Sequence, residues 1–240
     1  MFDMKGYEYM NNYKCIMFDC METIIDMTEL PKKSDYALWA FEGSKCRKYF
    51  RDFNEFYTCY RKADKNILSG IPRYREYDVE DIYVDIMKKR HFDEEKSREL
   101  VQDLFGNLWR NYKGRCYVNE EVKEVISYLN KKYILGVVSN FKVKKGIEEL
   151  LRYTDLRKYF SFVVNSSEEG WRKPHPNIYL LALKMSGVSC RDALFVGDDF
   201  TNDYLGPRKM GMDSILLEKG RNNIENCKKI RKFAELEEML

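Results

Sequence analysis

No CxxC pair, no apolar run of membrane-spanning length and no large charge excess occur in this chain. The 7 cysteines stand singly at positions 15, 20, 46, 59, 116, 190 and 227. An odd, scattered set argues against a disulfide framework and against a structural zinc site, and fits a reducing compartment. No stretch approaches the roughly 18 apolar residues that a membrane span needs. Met1 to Asn12 contains no apolar core of the kind a signal peptide carries. Lys+Arg 42 against Asp+Glu 39 leaves +3, too little to suggest nucleic acid or an anionic membrane as partner. Neither internal repeats nor low-complexity segments are present. The expectation is a soluble, cytoplasmic protein, and nothing in the pattern bears on its oligomeric state. With 44% hydrophobic residues, 240 residues suffice for a large buried core.

The most informative stretch is Lys14-Cys15-Ile16-Met17-Phe18-Asp19-Cys20-Met21-Glu22-Thr23. Cys15 to Phe18 is a continuous apolar run, the mark of a parallel strand covered on both faces. Asp19 then falls at the carboxyl end of that strand, on the rim where open α/β sheets bind ligands. By itself it could equally cap a turn.

Residues 24 to 116 differ in character. Phe53, Phe56, Tyr57, Tyr60 and Ala63 recur at helical spacing, as do Val79, Ile82, Tyr83, Ile86 and Met87. Leu100, Val101, Leu104, Phe105, Leu108 and Trp109 form the strongest helical face, and Asp35 to Phe41 a weaker fourth. From Tyr117 strands and helices alternate. Asn119 is expected to cap a helix burying Val122, Val125, Ile126 and Leu129, with acids in its first turn and lysines in its last. Strands follow at Ile134 to Val138, Phe160 to Val164, Ala193 to Val196 and, as the last, Ser214 to Leu217. The intervening helices carry Val143, Ile147, Leu150 and Leu151, then Ile178, Leu181, Ala182 and Met185 before Gly187. Glu225 to Leu240 reads as one charged surface helix. Pro207 should cost the helix after Asp203 a backbone hydrogen bond. Such alternation implies an α/β fold with a doubly wound parallel sheet. Residues 1–23 and 117–240 would form this core, with 24–116 an inserted all-helical domain.

Three strands end in polar residues: Asp19, Ser139-Asn140, and Asp198-Asp199 with Asp203 beyond. Arg172-Lys173-Pro174-His175-Pro176 precedes a helix. In a doubly wound sheet these ends converge on one crevice. Carboxylates there suit Mg²⁺, a hard cation that binds substrate phosphate. A lysine, a hydroxyl and the backbone N–H groups of the Cys20–Met21 loop suit the phosphate oxygens. Asp19 is placed to attack phosphorus as a nucleophile, giving an aspartyl-phosphate that water hydrolyses.

Phe18-Asp19-Cys20-Met21-Glu22-Thr23, Val138-Ser139-Asn140, Arg172-Lys173-Pro174-His175-Pro176 and Val196-Gly197-Asp198-Asp199-Phe200-Thr201-Asn202-Asp203 resemble the four ordered motifs of the haloacid dehalogenase-like (HAD) hydrolases. The resemblance covers the whole core, and the helical insert sits where that superfamily carries a C1-type cap. It implies a Mg²⁺-dependent hydrolase acting on a small phosphorylated metabolite. Asp19 would be nucleophile and metal ligand, with Met21 giving only its backbone carbonyl to the metal. Ser139, aided by Asn140, would hold the phosphoryl group, and Lys173 would stabilise nucleophile and phosphate. Asp198 would ligate the metal and Asp203 hold its water shell or Lys173.

Phosphatases of this superfamily carry an Asp, the general acid/base, where Met21 stands, and a Gly where Glu22 stands. General acid–base help is worth about 10²–10⁴-fold, so alternatives stay open at this point. One is a phosphonatase using a lysine of the insert, with Lys45, Lys48, Lys62 and Lys65 as candidates that more often belong to solvated surface. A dehalogenase is a second, although the acids here count against it. Others are a phosphatase drawing its acid from elsewhere, with Glu22 adjacent, and a phosphate-ligand binder without turnover. Cys20 is expected to be a packing residue, His175 to start a helix, and the Trp39/Phe41 and Tyr57/Tyr60 clusters to be helical-domain core.

Overall fold

A computed structural model describes residues 13–220 and 226–240; the Met1–Asn12 stretch and the first residue of the expected C-terminal helix, Glu225, lie outside the described residues. The apolar runs pair as expected. Strands β1 (Cys15–Phe18), β2 (Asp26–Met27), β3 (Cys116–Tyr117), β4 (Ile134–Ser139), β5 (Phe162–Asn165), β6 (Ala193–Gly197), β7 (Asp213–Leu217) and β8 (Lys229–Ile230) fall into two sheets. The larger is parallel throughout, in the order β5-β4-β1-β6-β7-β8. β1 lies at its centre, with Phe18 in register with Val137 on one side and Val196 on the other. β2 and β3 pair antiparallel where the chain leaves and re-enters the sheet region.

Alternate residues of β1 face opposite layers, as a strand's period of two requires. Ile16 and Phe18 join a large apolar cluster, while Cys15 and Met17 join a second one beneath the other face. Between β2 and β3 run α1 (Lys33–Phe41), α2 (Phe53–Gly70), α3 (Val79–Lys89) and α4 (Glu94–Lys113). Asp52, Asp78 and Asp93 cap the last three, each carboxylate accepting a first-turn backbone N–H. The core helices are α5 (Glu120–Leu129), α6 (Gly146–Tyr153), α7 (Ser166–Glu169), α8 (Pro176–Ser186), α9 (Gly206–Lys209) and α10 (Glu235–Met239).

Several expectations need correction. The strand expected at Phe160 begins at Phe162, because Phe160 closes a short 3₁₀ turn. β7 is not the last strand: β8 adds to it, so the tail holds an edge strand and one short helix rather than a single long one. Asn119 occupies the N-cap position of α5, but its amide donates to Asp26 across the β2–β3 junction at 3.0 Å. Lys131 and Lys132 fall beyond the end of α5. On α8 the buried residues are Ile178, Tyr179, Ala182 and Ser186, while Met185 is 50% exposed. Helical spacing defines a stripe, but which side of the stripe meets the sheet depends on the helix's rotation.

Pro207 does not kink a continuous helix. Phe200–Leu205 forms a π-helical turn, and Gly206 N–H reaches back five residues to the Thr201 carbonyl. Pro207 then sits in the first turn of α9, where its missing N–H costs nothing. Gly206 has to be glycine, because a Cβ there would lie 2.1 Å from the Tyr179 hydroxyl oxygen.

Candidate active site

The carboxyl ends of β1, β4 and β6 lie side by side, so Asp19, Ser139 and Asp198 share one rim. Asp19 N–H donates to the Val196 carbonyl of β6 (2.9 Å), which holds the first residue of the loop against the neighbouring strand. The loop then turns tightly, with the Cys20 carbonyl accepting from Thr23, Ile24 and Ile25. Glu22 takes a φ of 60°, the left-handed region that glycine enters freely.

Lys173 is the hinge of the charge arrangement. Its ammonium, 2% exposed, donates to Asp19 Oδ1 at 2.6 Å and to Asp203 Oδ1 at 2.7 Å. Burial alone would push this ammonium down, but the charges of Asp19 and Asp203 and the two hydrogen bonds outweigh it and hold it above the ordinary lysine value. Asp203 Oδ2 accepts from Asp199 N–H at 3.0 Å. Thr23 Oγ1 donates to Asp198 Oδ1 at 3.4 Å. Burial, then the charge of Asp19, raises Asp198 to about 7; burial also raises Asp203, against the pull of Lys173. Gly197 leaves room for this packing, since a Cβ there would stand 2.5 Å from the Asp203 carboxyl carbon.

Oxygens of Asp19, Asp198 and Asp203 all lie within 4.8 Å of one another. Lys173 pairs with two of these three carboxylates, and burial makes the remaining negative charge costly. An all-oxygen, anionic donor set of this kind fits a hard divalent cation such as Mg²⁺. Asp199 points elsewhere, accepting from Thr201 and Asn202 N–H as the cap of the π turn.

Ser139 is buried at the end of β4. The Asn140 side chain is committed to Lys173, accepting from its N–H at 2.6 Å and donating to its carbonyl at 3.0 Å. It thereby locks the loop after β4 to the loop that carries Lys173. Cys20 is fully buried, and burial followed by the Asp19 charge pushes its thiol well above the ordinary value. That is the behaviour of a packing residue. His175 caps α8, its Nδ1 accepting from Asn177 N–H at 3.3 Å. Lys45, Lys48, Lys62 and Lys65 are all exposed, and Lys45 pairs with Glu99 on the surface.

Sequence reasoning missed a seam made by residues 74–79, between α2 and α3. Arg172 N–H donates to the Tyr74 carbonyl (3.0 Å) and Glu76 N–H to the Gly170 carbonyl (3.0 Å), on the loop that leads to Lys173. Val79 N–H donates to the Lys142 carbonyl (2.7 Å) and Lys144 N–H to Asp78 Oδ2 (2.9 Å), on the loop after Asn140. The Glu76 carboxylate accepts from Ser166 Oγ (3.1 Å), whose oxygen accepts from Phe141 N–H (2.9 Å). One acid of the helical insert thus braces the loops bearing Asn140 and Lys173. No local signal marks it; the contacts between the seam and the core join residues 63 to 98 positions apart in sequence.

A cavity of about 480 Å³ opens beside this centre, between the insert and the core. Met21 and Asn140 line it; so do Lys33 and Lys142, neither of which was among the lysines named from sequence. Of the aromatics expected on the helical faces of residues 24–116, Tyr60 and Trp109 face it.

A family model described as haloacid dehalogenase-like hydrolase matches residues 13–211. The chain is 43% identical over 83 residues to "Haloacid dehalogenase-like hydrolase domain-containing protein 3" of Xenopus laevis, covering 35% of this chain and 33% of that protein. This match spans about a third of that relative's length. It is 33% identical over 211 residues to a "Glyceraldehyde 3-phosphate phosphatase" of Pyrococcus abyssi, covering 87% of this chain and 82% of the relative. Among solved structures, a 2-haloacid dehalogenase of Pseudomonas syringae superposes with a TM-score of 0.73 at 20% identity, over 95% of this chain and 97% of that one. At that identity the likeness shows the fold.

Proposed function

The chain belongs to the haloacid dehalogenase-like hydrolases, and we propose that within them it is a Mg²⁺-dependent phosphatase acting on a small phosphorylated molecule through Asp19. The observation that carries this reading is the Asp19–Lys173–Asp203 arrangement with Asp198 beside it. Hydrolysis of a carbon–halogen bond gives three clustered carboxylates no task, whereas phosphoryl transfer needs a cation and a lysine against a dianionic substrate. The relative from Pyrococcus abyssi, named a phosphatase and matched over most of both chains, supports the same choice.

Asp19, Asp198 and Asp203, with the Met21 carbonyl, would hold Mg²⁺, which when bound supplies positive charge against the phosphoryl oxygens. One Asp19 oxygen attacks phosphorus as the ester P–O bond breaks, its electron pair going to the leaving oxygen. Met21 has no proton to give, so the leaving oxygen takes its proton from solvent. Water then attacks phosphorus of the aspartyl-phosphate, releasing phosphate and restoring the carboxylate. Lys173 keeps its proton throughout and stays against Asp19 and the transferring group. Ser139 binds a phosphoryl oxygen, assisted by the Cys20 and Met21 backbone N–H groups, and Asn140 holds Lys173 in place. Residues 24–116 act as a cap that sets the substrate, braced by the 74–79 seam.

Asp19→Asn tests the assignment: turnover of phosphate esters disappears while the far-ultraviolet circular dichroism is unchanged, and retained turnover would overturn it. A panel of a generic aryl phosphate, phosphonoacetaldehyde and 2-haloacids, each with and without Mg²⁺, separates the reaction classes. Met21 favours one second reading, a phosphate-ligand binder without efficient turnover. Met21→Asp decides between them. A gain of about 10²-fold or more marks a site built for phosphate esters, and no gain marks a binder.

A further inference from the structure

We propose that the alcohol released from the phosphate ester carries a flat aromatic ring, held in the cavity beside Met21 and Asn140. The inference rests on the phosphatase reading above and adds the substrate class. About 480 Å³ falls in the range of roughly 300–1,000 Å³ typical of pockets that enclose drug-sized ligands. Met21 and Asn140 belong to it, but Asp19, Ser139, Lys173, Asp198 and Asp203 do not. The space therefore adjoins the phosphoryl position without containing it, which is where a leaving group sits.

Its walls are aromatic. Tyr36, Tyr60, Trp109, Tyr112 and Phe141 line it, from α1, α2, α4 and the loop after β4. Tyr36 stacks on Tyr112 at 6.1 Å and Trp109 on Tyr112 at 5.7 Å, so these rings are held by one another. A further ring added to such a set gains offset or edge contacts at little ordering cost.

The charged groups of the cavity other than Lys33 are already engaged. Lys142 donates to the Tyr77 hydroxyl, which donates to Asp64. Glu76 holds Ser166 and faces Arg172 at 3.8 Å. Among the described residues that line the cavity, Lys33 is the cation without a hydrogen bond or ion pair, and it lies exposed at the start of α1. A three-carbon phosphate, the compound in the name of the Pyrococcus abyssi relative, would leave most of these aromatic walls uncovered.

Two measurements test the proposal on the full chain with Mg²⁺. In the first, benzylphosphonate and propylphosphonate, neither of which has a P–O ester bond to cleave, are titrated calorimetrically. Benzylphosphonate should bind at least tenfold more tightly, and Tyr36→Leu should narrow that ratio at least threefold. Equal affinities, or tighter binding of the propyl compound, would overturn the inference. In the second, kcat/KM is compared for benzyl phosphate, propyl phosphate and glyceraldehyde 3-phosphate. Propyl and benzyl phosphates release primary alcohols of similar leaving ability, so a tenfold preference for benzyl reports the cavity. Equal kcat/KM for all three sinks the aromatic assignment and leaves the phosphatase reading standing. No turnover of any ester, with benzylphosphonate still preferred, supports the aromatic cavity and removes the phosphatase reading.

Discussion

Replacing Lys173 by methionine removes a buried cation while keeping nearly the same volume, so the effect reports charge rather than a cavity. The lysine is 2% exposed and touches two carboxylates, one of them, Asp203, itself 2% exposed. Removing one partner of a buried ion pair costs about 3–5 kcal/mol, because the remaining charge is left uncompensated. Here Lys173 is the cation paired with both Asp19 and Asp203, so the upper half of that range applies. In a protein of this size each kcal/mol moves Tm by about 2–4 °C, giving a fall of roughly 8–20 °C in EDTA. Mg²⁺ should reverse much of it, since ligand at 100 times Kd adds about 2.7 kcal/mol. The variant should gain more than the native chain, because its cluster holds no ammonium to repel the ion. Thermal unfolding by circular dichroism, with EDTA and with excess Mg²⁺, measures both effects. A variant within 2 °C of the native protein in EDTA, or equal Mg²⁺ shifts in both, would refute the reasoning (about 0.5–1 kcal/mol by the same conversion).

Gly197→Ala pushes a Cβ to 2.5 Å from the Asp203 carboxyl carbon. Overpacking of this kind costs about 1–3 kcal/mol, and Mg²⁺-dependent turnover should be lost even where urea denaturation shows the variant folded. Glu76→Gln keeps the shape of the seam but removes the charge facing Ser166 and Arg172. Charge-assisted hydrogen bonds contribute about 1.5–3 kcal/mol, so kcat/KM should fall about tenfold or more, with Asp19→Asn still epistatic to it. Cys20→Ala should retain turnover, and native Cys20 should resist alkylation under conditions that label Cys59, because it is buried beside the Asp19 carboxylate. Dialysis against EDTA should abolish turnover, and added Mg²⁺ should restore it.

Much of the placement of the rim residues was legible in sequence because it depends on local pattern. A buried parallel strand is a continuous apolar run, and a polar residue ending that run has to surface on the sheet rim. That argument puts Asp19, Ser139 and Asp198 together without any knowledge of packing, and the register of β1 with β4 and β6 agrees. Helices between strands follow the same local logic. Where spacing alone was asked for more, it failed. On α8 it chose Met185 over Tyr179, and it turned the tail into one helix although Lys229–Ile230 pairs with β7.

What tertiary structure decided is everything carried by contacts distant in sequence. Asn140 reads as a phosphate ligand by its position after Ser139, yet its amide is spent on the backbone of Lys173 33 residues away. Glu76 looks like one surface acid among many until Ser166, 90 residues on, is placed beneath it. The π turn that carries Asp203 arises where Pro207 and Tyr179 meet the same stretch of backbone. The cavity is assembled from α1, α2, α4 and the loop after β4, so no single segment contains its aromatic character. The sequence by itself determined which residues reach the rim, since strand period and burial are properties of a few neighbouring residues. Only the tertiary structure determined what those residues face, because that depends on how separate elements pack.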